Sequence, residues 1–210
     1  MLLSRGFIRL HRIEYYRTIE DKNRQDSAEG RAHLKVPGNV PVVRMDRVTG
    51  EIVGRHEESG HFNWQMGFQN PSYAFCMSHD DVDLAELTGR FGEHVIEITN
   101  PEAFLRLIHR SAHALQVPNR ELSFVDCVSV RYDKGLVGPA PEEGAELMRI
   151  SYSQKAPSFA VEREYRCVVV LSGSSAGAPD YLDLKLGSIC ECVRRYDSAP
   201  RTGRNSGALR

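Results

Sequence analysis

Glu162-Arg163-Glu164-Tyr165-Arg166-Cys167-Val168-Val169-Val170-Leu171 is the stretch on which the reading of this chain turns. Residues 167–171 are apolar at every position, the composition of a strand covered on both faces. Carrying the two-residue period backward puts Glu162, Glu164 and Arg166 on one face, with Arg163 and Tyr165 on the other. Three charges then stand at the mouth of a buried strand. Desolvation there demands ion pairs or hydrogen bonds and shifts a carboxylate's pKa. Such a row is a candidate site. It is equally the mark of a structural network, in which Glu164 pairs with Arg166 or a carboxylate clasps an arginine from the start of the chain.

Around this strand, further strands are expected at 6–10, 31–36, 42–46, 51–56, 62–69, 72–78, 94–99, 121–132, 147–152, 181–186 and 188–194. Pro37-Gly38-Asn39 reads as a turn between two of them, and 46–50 as a hairpin connection. The apolar, aromatic runs 62–69 and 72–78 are both assigned to the sheet core. Helices are expected at 11–22, 82–91 and 101–115, with a short helical turn at 141–147. The clearest is 101–115, where Asn100 caps and Pro101 takes the first position. It gathers Phe104, Leu105, Ile108, Ala112 and Leu115 on one side. Strands dominate without a regular βαβ alternation. The expectation is a single α+β domain over residues 1–195, with a mixed or antiparallel central sheet and a few flanking helices. Residues 196–210 have the composition of a disordered tail.

The 210 residues suit one domain with a sizeable core. The chain is 41% hydrophobic and 26% charged, and its formal net charge of −1 gives no general pull toward nucleic acid or acidic lipid. No apolar run approaches the ~20 residues that span a bilayer. Arg5 and Arg9 break the N-terminal apolar stretch, so a signal peptide is not expected and a cytoplasmic location is. Five cysteines, an odd number, read as reduced thiols. Cys190 and Cys192 form a C-x-C pair without the further ligands that zinc needs. There is no G-x-G-x-x-G after a first strand and no G-x-x-x-x-G-K, which disfavours Rossmann and P-loop nucleotide binding.

A second polar constellation occupies residues 9–30. On a helix, Tyr16 lies over Glu20, Arg17 over Asp21 and Glu20 over Arg24. A solvated face laced with charge pairs explains most of this. The run nevertheless continues through Asp26 and Glu29 to Gly30, where a strand begins, and it carries Tyr15 and Tyr16, which suit a pocket wall.

Taken together, Tyr15 to Gly30, Cys76 to Ser78 and Lys155 to Val170 resemble a prokaryotic domain family. Its members share a Tyr-Tyr-Arg start, a short middle strand and a late Phe-x-x-Glu-x-Glu-Tyr-Arg. That family brings no activity with it. Its members start with a segment upstream of the position of Met1, which implies a chain short at its N-terminus. The order Arg9 (or Arg5), Ser78, Glu162-x-Glu164 also resembles ADP-ribosyltransferases of the Arg–Ser–Glu type. This second resemblance implies NAD as substrate and Glu164 or Glu162 as the group steadying an oxocarbenium charge. It implies Arg9 on pyrophosphate and an aromatic, Tyr16 or Tyr165, on nicotinamide. Arg17, Glu20, Ser78 and Arg166 complete the candidate substrate-binding set. Cys76-Met77-Ser78-His79 departs from the Ser-Thr-Ser of those enzymes, and Arg166 is an addition to their pattern.

Other constellations carry less. His109 and His113 lack the glutamate of H-E-x-x-H and read as surface residues. His56, His61, His79, Asp80 and Asp81 make a metal site only if folding gathers them. Asp21, Asp26, Glu162, Glu164 and Lys155 supply the residue types of a metal-dependent nuclease without a geometry. A binding or regulatory module with structural ion pairs is the non-enzymatic alternative.

Overall fold

The computed structural model describes residues 6–18, 30–46, 51–92, 94–133, 136–137 and 144–196. Of the expected tail 196–210 only Tyr196 is among them, and residues 19–22 of the expected helix 11–22 lie outside. The chain runs β1 (Phe7–Arg12), α1 (Ile13–Thr18), β2 (Arg31–Met45), β3 (Ile52–Gly67), β4 (Ser72–Ser78) and α2 (Leu84–Phe91). It continues with β5 (Ile96–Ile98), α3 (Pro101–His113), β6 (Leu122–Ser129), β7 (Leu136–Val137) and α4 (Gly144–Ser153). A 3-10 turn (Pro157–Glu162), β8 (Glu164–Leu171), β9 (Tyr181–Lys185) and β10 (Val193–Arg195) complete it.

Five strands form the central sheet in the order β6-β8-β4-β1-β9, and each neighbouring pair is antiparallel. This is an α+β fold. β8, with its apolar run 167–171, lies inside the sheet, between β4 and β6, as that composition requires. Side-chain alternation gives the sheet two faces. Ile8, Leu10, Tyr73, Cys167, Val169, Leu171, Leu182 and Leu184 point to one, where Phe104, Ile108 and Ala112 of α3 cover them. Asn100 caps α3 through a bond from the Ala103 N–H, as expected. Ala74, Val168 and Val170 point to the other face, under Ile13 and Tyr16 of α1 and Met148 and Tyr152 of α4.

Four expectations are corrected. Residues 31–45 are one strand, not two around Pro37, paired with β3 along its whole length. Pro37 and Pro41 lie four apart and so share one parity in the ladder, the one in which the missing N–H points away from β3. Residues 62–67 belong to β3 of this separate ribbon rather than to the central sheet. Residues 147–152 lie in α4 and are not a strand. Leu147 and Ile150 face Ala32 and Leu34 of the ribbon, while Met148 and Tyr152 face the sheet. A helix clamped on two sides has no single apolar stripe, and its pattern passes for alternation. Of the expected strand 188–194 only Val193 and Arg194 are extended, as part of β10.

Gln154, directly after α4, couples ribbon to sheet. Its carboxamide accepts from the His33 N–H at 2.7 Å and donates to the His33 carbonyl at 3.2 Å, in place of a neighbouring strand. Gly30 opens β2 with φ +68°, and a Cβ there would meet Ile13 Cγ2 at 2.6 Å. The turn into the ribbon therefore requires glycine. Among the described residues no helix is long and apolar enough to cross a membrane.

Candidate functional site

The row expected at the mouth of β8 is real in part. Glu164 and Arg166 alternate onto the α4 side of the sheet, opposite Ser78 and Cys76 of β4. The period does not reach Glu162. Arg163 adopts a left-handed conformation, φ 41°, at the end of the 3-10 turn, and this breaks the alternation. Its side chain turns outward to Asp81. Glu162 nonetheless converges on the same place through Lys155.

Lys155 Nζ donates to Glu162 Oε2 at 2.6 Å and to Glu164 Oε2 at 2.9 Å. Arg166 donates from Nε to Glu164 Oε1 at 2.5 Å and from Nη2 to Oε2 at 3.2 Å, a fork-on-carboxylate pairing. Its Nη1 donates to the Tyr152 carbonyl at 2.9 Å. The Glu164 N–H donates to the Tyr132 hydroxyl at 2.6 Å, and Lys155 Nζ lies 4.6 Å from the centre of the Phe159 ring. Two cations and two carboxylates thus form a formally neutral quartet. Glu162, Glu164 and Arg166 are 5%, 4% and 1% exposed.

The two carboxylates respond in opposite directions. Burial pushes the Glu162 carboxyl up, against the charge and hydrogen bond of Lys155. Burial acts on Glu164 too, but the charges of Arg166 and Lys155 and the hydrogen bonds of Arg166 and Cys76 together outweigh it. Glu164 is held well below the usual carboxylate range and is the firmly ionised member.

The other expected residues distribute as follows. Arg9 is solvent-exposed on β1. Its guanidinium donates to Asp183 at 2.7 and 2.8 Å and lies 3.7 Å from the centre of the Tyr181 ring. Ser78 is exposed and stands in register with Glu164. Tyr16 packs partly buried against the Ala74–Val168 cluster, and Arg17 lies beside Gly30. Glu20, Asp21, Arg24, Asp26 and Glu29 fall outside the described residues, so their share in the first constellation is not placed. Tyr132, Tyr181 and Asp183 are partners that sequence reasoning missed, and Lys155, grouped there with Glu162 and Glu164 only as a nuclease residue type, is their shared ion-pair partner. Tyr181 and Asp183 meet Arg9 from a strand far along the chain, Tyr132 reaches Glu164 across 32 residues, and Lys155 meets Glu162 and Glu164 only because the intervening 3-10 turn folds it back.

One face of the sheet therefore carries both a closed part and an open part. Arg9 and His11 share a side of β1, and His11 pairs with Ala74 and with Tyr181. Arg9, His11, Cys76, Ser78, Tyr181 and Asp183 thus stand on the same face as Glu164 and Arg166. His11 stacks on the exposed Tyr15, with ring centroids 5.0 Å apart. The β1–β4 ladder holds only His11↔Ala74 and Arg12↔Tyr73. Beyond these the strands share no registered pair, which leaves Cys76 and Ser78 beside an unzipped seam.

The remaining candidates do not assemble. His109 and His113 are exposed on α3, their rings tilted against each other with centroids 4.4 Å apart. Among the described residues no group of three or more His, Cys, Asp and Glu is placed to hold a metal ion. A groove of about 550 Å³ lies between α3 and the segment after β9, lined by Ala103, Arg106, Leu107, Arg110 and Cys192. It belongs to the α3 side of the sheet, away from the quartet. No family model, no curated protein and no solved structure matches this chain.

Proposed function

We propose that the chain is a binding module for an anionic, aromatic small molecule of the nucleotide class. The ligand sits on the open strip of the α4-side sheet face, and the quartet is a pin that holds that face in shape. One observation carries the reading: Arg9 and Ser78 are open to solvent, while Glu162, Glu164 and Arg166 on the same face are sealed and mutually neutralised. Two of the five N–H donors of Arg9 are used by Asp183, which leaves others for a phosphate. The His11–Tyr15 stack offers a π-face to a base. Titration calorimetry of the full chain with ATP, ADP-ribose and NAD tests it. At least one binds, and Arg9→Ala weakens that binding by about tenfold or more at unchanged melting temperature. Absence of binding by all three rejects the reading.

A second reading, NAD-dependent ADP-ribosyl transfer through Glu164 or Glu162, is favoured by a separate observation. Arg9, Ser78 and Glu164 occupy the consecutive strands β1, β4 and β8 and face the same way. In that reading Lys155 and Cys76 must move aside before a substrate touches Glu164. Label transfer from NAD that vanishes in a folded Glu164→Gln variant would establish it in place of the first.

A further inference from the structure

Cys127 of β6 and Cys167 of β8 stand directly opposite each other in the ladder, with their sulfurs 2.6 Å apart. Both are free thiols. The kind of ladder position they occupy follows from their neighbours. The Val130 N–H donates to the Glu164 carbonyl, so that pair is a hydrogen-bonded one. Counting three pairs along makes Cys127↔Cys167 a non-hydrogen-bonded pair. The Cys127 N–H agrees, because it turns away from β8 to Asp126 Oδ1 at 2.8 Å. At such positions Cα atoms approach to about 4.5 Å, the short end of what a disulfide bridges.

We propose that Cys127 and Cys167 are a redox-modification site, forming a reversible cross-strand disulfide by exchange with a low-molecular-weight disulfide. The thiolate of Cys127 attacks one sulfur of the small disulfide, RSSR. A mixed disulfide forms and RS⁻ leaves. The thiolate of Cys167 then attacks the Cys127 sulfur, the Cys127–Cys167 bond forms, and the second RS⁻ leaves. The two thiol protons end on the released thiols, so two cysteines are oxidised and one RSSR is reduced to two RSH. The order follows from access. Cys127 is partly exposed on an edge strand, whereas Cys167 is fully buried. The hydrogen bond to Cys127, and then burial, hold the Cys167 thiol far up, so it does not start the exchange and gives up its proton only in the second, intramolecular step. The short span of the pair makes the bond reducible rather than permanent.

The test equilibrates the full chain in glutathione buffers from reducing to oxidising. It then blocks free thiols under denaturing conditions and maps the peptides. A variant with Cys76→Ser, Cys190→Ser and Cys192→Ser removes competing thiols. The expected result is a 127–167 linked peptide in the oxidised samples, a mass lower by two hydrogens, and full return of both thiols on reduction. Cys127→Ser, a partly exposed change, abolishes the link and leaves Cys167 blocked as a free thiol. The proposal is overturned if both cysteines stay alkylatable at every potential. It is overturned equally if oxidation stops at a glutathione adduct on Cys127.

Discussion

Ser78 and Glu164 face each other directly across the β4–β8 ladder, yet Ser78 is open to solvent and Glu164 is sealed beneath two cations. Ser78→Ala therefore removes a hydroxyl from the open strip without touching the quartet. Its expected effect on unfolding free energy is within about 0.5 kcal/mol, as for ordinary surface changes. Nucleotide affinity falls in parallel titrations if the strip binds ligand as proposed.

Glu164→Gln leaves Arg166 and Lys155 without their shared anion. Breaking a buried pair from one side costs about 3–5 kcal/mol, read as the shift in urea midpoint at neutral pH. The folded-state pKa of Glu164 is depressed, so its stabilising share is present above the unfolded carboxylate range near ~4.3 and fades as pH falls toward the folded value. The gap between wild type and Glu164→Gln therefore narrows on acidification below about pH 4.5.

Lys155→Met works in the opposite direction with pH. Removing Nζ leaves Glu162 and Glu164 facing each other with Arg166 as the remaining cation. The Glu162 carboxyl is already raised by burial and loses the charge that opposed it. A carboxyl raised in the folded state gives stability that is full below the unfolded pKa and is lost as pH rises through the folded value. The variant is expected to melt progressively lower as pH rises above the unfolded carboxylate range near ~4.3, and more steeply than the wild type, in which Lys155 opposes the shift. A flat profile for Lys155→Met would falsify the assigned role of that lysine.

Gln154→Leu keeps the bulk of the side chain but deletes both bonds to the His33 backbone. Two half-buried backbone groups then lose those bonds, at up to about 1–3 kcal/mol each. The loss should appear first as faster amide exchange in residues 31–36 while β8 and β4 stay protected.

Much of this architecture is legible in single segments. The apolar run 167–171 forces a covered strand, and Asn100-Pro101 forces a helix start. The two-residue period alone places Glu164 and Arg166 on one face. Where reading failed, a local pattern met a nonlocal constraint. The period stops at Arg163 because the 3-10 turn delivers it in a left-handed conformation, and no local pattern announces that turn. Residues 147–152 read as a strand because α4 is apolar toward both ribbon and sheet. In the sequence Lys155 stands out only as one residue type of a nuclease set, and nothing local marks it as the cation between two buried glutamates. It becomes central only because Gln154 and the 3-10 turn bring it under β8.

The central claim is that the quartet holds structure while the strip beside it holds ligand. Nucleotide titration of Glu164→Gln, run alongside thermal unfolding of the same sample, separates these directly. A melting temperature clearly below wild type, with affinity kept within about twofold below the new transition, is the expected result. An unchanged melting temperature with affinity or NAD turnover abolished would contradict it and make Glu164 a contact for the ligand.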